Sequence, residues 1–326
     1  MPELPEVETV RQTLLPEVIG HFIVMTHLLT PGVLLNPAQL DISLHPETDL
    51  SQCLPGCHLP DSSRSCVKAD HQARWKIAGL ERRGKYLIIR LADIAAAKPF
   101  HACLLVHLRM TGRLLLKNHH ERPPRHTHVR FLLNASDQNE MCHTPADDHT
   151  KVLDFHDTRR FGRIWLLPED INGKLVGAPS GFYCLGPEPL EASFTSAVFK
   201  AHLERRQKTP VKSALLDQKV VAGLGNIYAD EALFRAGIQP QRRISSLSVH
   251  EIKKLHRAII EVLHEAIACQ GTTLRDYVDG WNRKGRFQSC LMVYGRAGEP
   301  CRRCDKLIAK TVLAGRTTCF CPRCQN

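Results

Sequence analysis

Met1-Pro2-Glu3-Leu4-Pro5-Glu6-Val7-Glu8 puts an imino acid directly behind a methionine, sets a carboxylate beside it, and then runs into a helical repeat. Apolar residues return at Val7, Val10, Leu14, Leu15, Val18 and Ile19, the three-and-four spacing of an amphipathic helix. Pro5 suits the first turn, where a missing N–H costs nothing. If Met1 is removed, Pro2 becomes a terminal secondary amine, whose reference pKa of about 7.7–8.0 leaves a usable fraction unprotonated near neutral pH. Such an amine attacks carbonyl-like carbon and gives an iminium, a strong electron sink. The helix N-terminus beside it disfavours the protonated form, and Glu3 lies within reach as a proton donor or acceptor. Taken alone, Met-Pro is a common accident of a start site and Glu6 and Glu8 are ordinary first-turn acids. The rest of the chain has to decide.

Outward from that helix the period changes. Residues 75–80, 86–91, 103–108, 127–133, 152–155 and 161–167 carry the apolar, aromatic and β-branched content of short strands. One helix followed by strands predicts a sandwich or barrel-like first half. Pro and Gly gather over 168–189, where a connection between domains is expected. Beyond it the helical period returns over 194–206, 211–218, 229–236 and 249–268. The expected organisation is α+β and multidomain: a mainly β N-terminal domain over 2–170, a linker over 171–190, a helical domain over 191–289 and a cysteine-bearing C-terminal module over 290–326.

The 326 residues carry a formal net charge of +11, which makes a polyanion the natural partner. No run of about 18 apolar residues occurs, and the acidic N-terminus lacks the basic and apolar regions of a secretory signal. A cytoplasmic protein that keeps away from membranes is expected. Thirteen cysteines in such a chain argue for metal ligation rather than disulfides. Cys301-Arg302-Arg303-Cys304 and Cys321-Pro322-Arg323-Cys324, sixteen residues apart, fit one tetrahedral four-thiolate zinc in a closed, structural site. The stretch between the knuckles can pair as a hairpin rich in Arg and Lys, a plausible backbone reader. Cys319 falls inside its second strand and takes no role. Cys53, Cys57, Cys66, His58 and His71 lie in a Pro-, Ser- and His-rich region near 40–73, in spacings that fit no standard zinc knuckle.

Several loops carry chemistry-bearing residues. Gly84-Lys85 sits in a turn between two strands. His107-Leu108-Arg109-Met110-Thr111-Gly112 and Asp157-Thr158-Arg159-Arg160-Phe161-Gly162 set Met110, Arg159 and Phe161 at strand ends, side chains of the kind that wedge into a kinked duplex. Without further context Met and Phe are core and Arg is surface. Gly223-Leu224-Gly225-Asn226-Ile227-Tyr228 opens a helix whose amides can hold a phosphate, with Asn226, Tyr228, Lys212 and Lys219 as nearby donors. Residues 272–288 read as a mobile loop suited to cover a small pocket.

These stretches together resemble the formamidopyrimidine-DNA glycosylases. The carrying residues are Pro2 to Glu8, Gly84-Lys85-Tyr86-Leu87, the two wedge-type loops, Leu185-Gly186-Pro187-Glu188-Pro189-Leu190, Gly223 to Ala229 and the cysteine quartet. The resemblance implies an N-terminal β-sandwich with flanking helices, a helix-two-turn-helix domain and a C-terminal zinc-finger β-hairpin, with duplex DNA bearing oxidised bases bound between the halves by a monomer. It implies Pro2 as the nucleophile on C1′, Glu3 as the acid/base on the deoxyribose, Lys85 on the flanking phosphates and Glu6 lining the pocket. Met110, Arg159 and Phe161 correspond to the wedge, Asn226 and Tyr228 to the phosphate-binding turn, and Arg316 to the finger residue on the backbone; 272–288 falls at the lesion-capping loop. The regions near 40–73 and 134–150 look longer than the family core. The activity implied is bifunctional: release of oxidised purines, then β,δ-elimination. A sister glycosylase of endonuclease VIII type for oxidised pyrimidines and a non-catalytic zinc-ribbon DNA-binding protein are the alternatives.

Overall fold

The computed structural model describes residues 2–36, 44–46, 75–94, 100–118, 122–135 and 150–326. The cysteines and histidines near 40–73, and most of 134–150, lie outside them.

Helix α1 (Leu4–Val18) turns Val7, Val10, Leu14 and Val18 into the core of the N-terminal domain, while Leu4 belongs to the core of the helical domain. The helix therefore straddles both halves. Behind it come β1 (Phe22–Leu28), β2 (Leu34–Leu35), β3 (Leu44–Pro46), β4 (Trp75–Arg83), β5 (Tyr86–Asp93), β6 (Phe100–His107), β7 (Gly112–Asn118), β8 (Thr127–Asn134), β9 (Lys151–Asp157) and β10 (Arg163–Pro168). Hydrogen bonding runs β2-β10-β6-β5-β4-β1-β8-β9-β7, with β3 beside β1.

Pairing between β1 and β4 is confined to Phe22 with Lys76 and Ile23 with Trp75, which makes this the corner where the sheet folds over. Leu87, Ile89, Leu104, Val106 and Ile164 from one side meet Leu114, Val129, Phe131, Leu153 and Phe155 from the other in a single core, the arrangement of a sandwich. β5 is covered on both faces: Leu87, Ile89 and Leu91 point into that core, and Tyr86 and Ile88 into a second cluster with Cys103, Leu105 and Leu175. Besides the short β2 and β3, the structure adds β1 and β7 to the strands that composition predicts. Both mix apolar residues with Thr, His, Arg or Lys, so neither shows a clean period of two.

After a short helix α2 (Ser180–Tyr183) the helical domain holds α3 (Ser196–Glu204), α4 (Val211–Leu216), α5 (Asn226–Ala236) and α6 (Val249–Ala268). Ser248 and Glu251 cap each other's backbone at the start of α6, at 3.2 and 2.8 Å. Helix α5 begins at Asn226 rather than 229, because extended Gly225 serves as its N-cap. It ends on left-handed Gly237 at φ 74.

The C-terminal hairpin is β11 (Ala309–Leu313) and β12 (Arg316–Phe320). Ala314 and Gly315 between them have φ of 47 and 71, the positive pair that a two-residue type I′ turn requires. Two buried acids of α5 fasten this module. Glu231 accepts the N–H groups of Met292, Val293 and Tyr294 at 2.9, 2.9 and 2.8 Å, and Asp230 accepts that of Cys319 at 3.0 Å.

Candidate active site

The turn that ends in Gly225 closes around the start of α1. The Leu4 N–H donates to the Gly223 carbonyl at 3.0 Å, and Ile227 N–H donates to Glu3 Oε1 at 3.0 Å. Tyr228 N–H approaches Glu3 Oε2 at 3.5 Å. The first amides of α5 thus hold the carboxylate of Glu3, with the positive end of the helix dipole behind them. A β-carbon on Gly225 would stand 2.2 Å from Glu3 Cδ, and one on Gly223, at φ +81, would stand 2.7 Å from Leu4 Cβ. This corrects the expectation that these amides hold a phosphate: an internal carboxylate occupies them.

Pro2 is buried beside Glu3. Glu6, one turn into α1, is also buried and accepts from Glu3 N–H and Thr272 N–H, both at 2.8 Å, and from the Tyr228 hydroxyl. Burial, with the nearby Glu3 charge, pushes the Glu6 carboxyl up to about 7. Tyr228 also meets Thr272 Oγ1 at 2.9 Å. Its side chain is fully buried, so the expected phosphate donor is instead part of the Glu6 pocket.

Lys85 is buried at the same place, and its ammonium has no hydrogen-bond or ion-pair partner among the described residues. Burial lowers its pKa, opposed by Glu3 and Glu6 and reinforced by Arg316. An anion arriving beside it would supply the missing opposite charge and favour the ammonium again. The turn that carries it, with Gly84 at φ +57, is held from the linker: Glu188 accepts Gly84 N–H, Arg82 Nη1 at 2.6 Å and Arg83 Nη1 at 2.7 Å. Arg82 also reaches Glu8 Oε2 at 3.0 Å. Although burial pushes Glu8 upward, Arg11 and Arg82 hold it below the usual carboxylate range.

Lys212 does not face a ligand either. It is wholly buried, paired with Asp230 at 2.7 Å and bonded to Thr317 O and Thr318 Oγ1, both at 2.8 Å. It ties α4 to the hairpin. Asn226 is half-buried, with one amide N–H on Thr317 O at 3.0 Å. Arg316, next to that threonine, is exposed on the hairpin turn and lies close enough to Lys85 for their charges to interact.

The wedge candidates are displayed. Met110 and Phe161 are 41% and 54% exposed, so the described residues leave both side chains open to solvent. Arg159 is exposed beside them, its Nη1 4.0 Å from Met110 Sδ. Residues 272–288 are not a free lid in this structure. Tyr277 enters the N-terminal core, Gly280 N–H bonds Thr13 Oγ1 at 3.2 Å, and Leu116 N–H bonds the Gly280 carbonyl at 2.8 Å. The loop is a bridge between domains whose two apolar tips, Leu274 and Trp281, stay half exposed.

The four sulfurs of Cys301, Cys304, Cys321 and Cys324 lie within 4.8 Å of one another, with Cys304 3.5 Å from Cys321 and 3.4 Å from Cys324. Tetrahedral zinc with Zn–S of about 2.3 Å needs sulfurs about 3.8 Å apart, so the cluster fits one structural zinc ion. Cys319 stands outside the cluster. Sequence reasoning did not find Glu188, Thr272, Asp230, Glu231 or Asp157 as supports. Each is an ordinary polar residue until its distant partner is known.

Comparison with known proteins agrees with this arrangement. The formamidopyrimidine-DNA glycosylase N-terminal domain matches residues 1–164, the H2TH domain of the same enzymes 185–278, and the zinc finger found in FPG and IleRS 298–326. The formamidopyrimidine-DNA glycosylase of Pelotomaculum thermopropionicum is 42% identical, covering 100% of this chain and 99% of that one. That of Geobacillus kaustophilus is 39% identical over 100% of both. Among solved structures, the MutM (Fpg) protein of Thermus thermophilus superposes with a TM-score of 0.74 at 34% identity, covering 99% of this chain and 98% of that one. Lactococcus lactis Fpg in complex with abasic-site DNA gives 0.72 at 31% identity over 99% of both.

Proposed function

This chain belongs to the formamidopyrimidine-DNA glycosylase family, and from that premise we propose how its residues divide the work of a base-excision-repair glycosylase and abasic-site lyase acting on oxidised purines. Pro2, freed by removal of Met1, attacks C1′ of the damaged nucleotide and displaces the base. The iminium that forms with the opened sugar acidifies the adjacent C–H positions, and β- then δ-elimination expels the flanking phosphates. Glu3 moves the protons. The observation that carries this reading is the seat of Glu3: its buried carboxylate is fixed on two α5 amides and belongs to the residue that follows buried Pro2, so a terminal amine there has a positioned proton acceptor one residue away in the chain.

Glu6 supplies a carboxyl that is protonated in part at neutral pH and lines the pocket with Tyr228 and Thr272. Lys85, Asn226 and Arg316 meet the phosphates around the lesion. A base stacked in a duplex is out of reach of Pro2, so it must be extruded, at a cost of a few kcal/mol that is least for a damaged base. Met110, Arg159 and Phe161 fill the space it leaves. The zinc stabilises the hairpin that presents Arg316 and has no part in the chemistry.

Borohydride trapping tests the assignment. Met1-processed protein mixed with a duplex carrying 8-oxoguanine opposite cytosine should give a covalent adduct that peptide mapping places on Pro2. A processed protein that releases the base and traps no DNA, or traps it at another residue, removes Pro2 from the mechanism.

A further inference from the structure

The wedge side chains come from two loops that are far apart in the chain. Met110 lies between β6 and β7, and Arg159 and Phe161 between β9 and β10. One buried carboxylate joins them. Asp157, the last residue of β9, accepts the Thr111 hydroxyl and Arg159 N–H, the latter at 3.0 Å, through Oδ1, and Gly162 N–H at 2.7 Å through Oδ2. Thr111 Oγ1 lies 3.3 Å from the same Arg159 N–H, closing a small ring of bonds between the loops. The Asp157 carbonyl faces His128 Nε2 at 2.7 Å, whose other ring nitrogen meets Thr30 Oγ1 at 2.8 Å.

Asp157 is fully buried and has no cation partner among the described residues. A buried carboxylate is costly, and among the described residues the cost is offset by donors from the two wedge loops. Those loops are themselves held in uncommon backbone. Arg109 and Arg160 have φ of 55 and 56, strained conformations that persist where surroundings over-determine them. A β-carbon on Gly112 would stand 2.4 Å from the Leu108 carbonyl oxygen, and one on Gly162 would stand 2.6 Å from Phe155 Cζ and 3.1 Å from Asp157 Oδ2. Both loops are fitted to the brace.

We propose that Asp157 is a positioning residue for base extrusion, locking the Met110 loop to the Arg159–Phe161 loop through Thr111 so that the three side chains enter the duplex as one rigid body. The proposal rests on the reading of those side chains as the wedge. Its effect falls on the step in which the base leaves the stack, since Asp157 touches none of the reacting groups. Loosened loops have to be ordered at the moment of insertion, and that ordering is subtracted from the extrusion equilibrium.

Thr111→Val removes only the hydroxyl that crosses between the loops, and Thr111→Ser keeps it. Asp157→Asn turns one acceptor into a donor facing an N–H. Extrusion is followed by fluorescence of a 2-aminopurine placed beside 8-oxoguanine, with single-turnover release on the same duplex. Borohydride trapping on a single-stranded abasic oligonucleotide reports the chemistry where there is no stack to fill. Thr111→Val and Asp157→Asn should slow extrusion and release about tenfold, leave single-strand trapping unchanged, and Thr111→Ser should behave as the parent. If Thr111→Val extrudes normally, or loses both substrates equally, the brace is not a positioning device. Phe161→Ala and Met110→Ala are measured alongside. Normal extrusion in those variants removes the wedge reading itself, while slow extrusion there with a normal Thr111→Val removes only the brace. Should Asp157→Asn fail to fold, Thr111→Val decides.

Discussion

The N-terminal end of α1 and the two loops proposed as the wedge are built in opposite ways. Around Pro2, three charged residues, Glu3, Glu6 and Lys85, are buried, and each carboxylate is seated on backbone amides. At the wedge, apolar Met110 and Phe161 stand in the open over a buried carboxylate. On the reading proposed above, both arrangements follow from what the DNA brings. Proton transfer works best in a dry, preorganised site, so the acids are placed before the substrate arrives. Base stacking needs an apolar surface that is covered only when the duplex is present, so the wedge is left uncovered and only its base is rigid.

The largest effect that would test this contrast comes from crowding the catalytic seat. Gly225 has a φ of −133 that any residue can adopt, so Gly225→Ala introduces no backbone strain and acts only through the overlap of its β-carbon with Glu3. Excision should fall by about 10²–10⁴-fold, the usual worth of a positioned acid/base, with zinc content and duplex binding retained. Full activity in Gly225→Ala would mean that the α5 amides do not have to hold Glu3.

Next in size is the pH response of Glu6. Its carboxyl sits at about 7 in the folded protein against the usual 4.5, so the native state holds a proton that the unfolded chain gives up between those values. Its contribution to stability is fully present below about pH 4.5 and is lost as pH rises through about 7, a swing of about 3 kcal/mol. Chemical denaturation across that range should show the parent losing stability relative to Glu6→Gln as pH rises. A constant difference would mean that Glu6 is ionised throughout and that the pocket is wetter than the wedge contrast requires.

The smallest effect belongs to the rim. Arg316→Ala removes the exposed side chain proposed to contact a phosphate, so the slope of log affinity against log salt should flatten by about 0.9 while the rate of excision from bound duplex stays the same. An unchanged slope, measured by fluorescence anisotropy, would take the hairpin turn out of the DNA contact.

Legibility in the sequence follows the range of the interaction. The amphipathic period of α1 and α6, the cysteine quartet and the Gly-rich entry to α5 are all local, and each lies where the pattern places it. Tyr228 and Lys212 carry the same polar signals as surface donors, yet both are buried. Nothing near them in the chain reveals that Glu6 and Asp230 are their partners. The loop over 272–288 is polar and glycine-bearing, as a mobile loop would be, but Tyr277 and Gly280 anchor it on the other domain.

By itself, then, the sequence determined the family, the order of its modules, the single zinc and the candidate nucleophile, because these rest on residue types at short, fixed spacings. Only the tertiary structure decided what holds them: Ile227 under Glu3, Thr272 over Glu6, Glu188 behind the Lys85 turn, and Asp157 between the wedge loops. In each case a polar group buried by folding is satisfied by a partner from a distant segment, a pairing that depends on three-dimensional proximity and leaves no period or spacing to read.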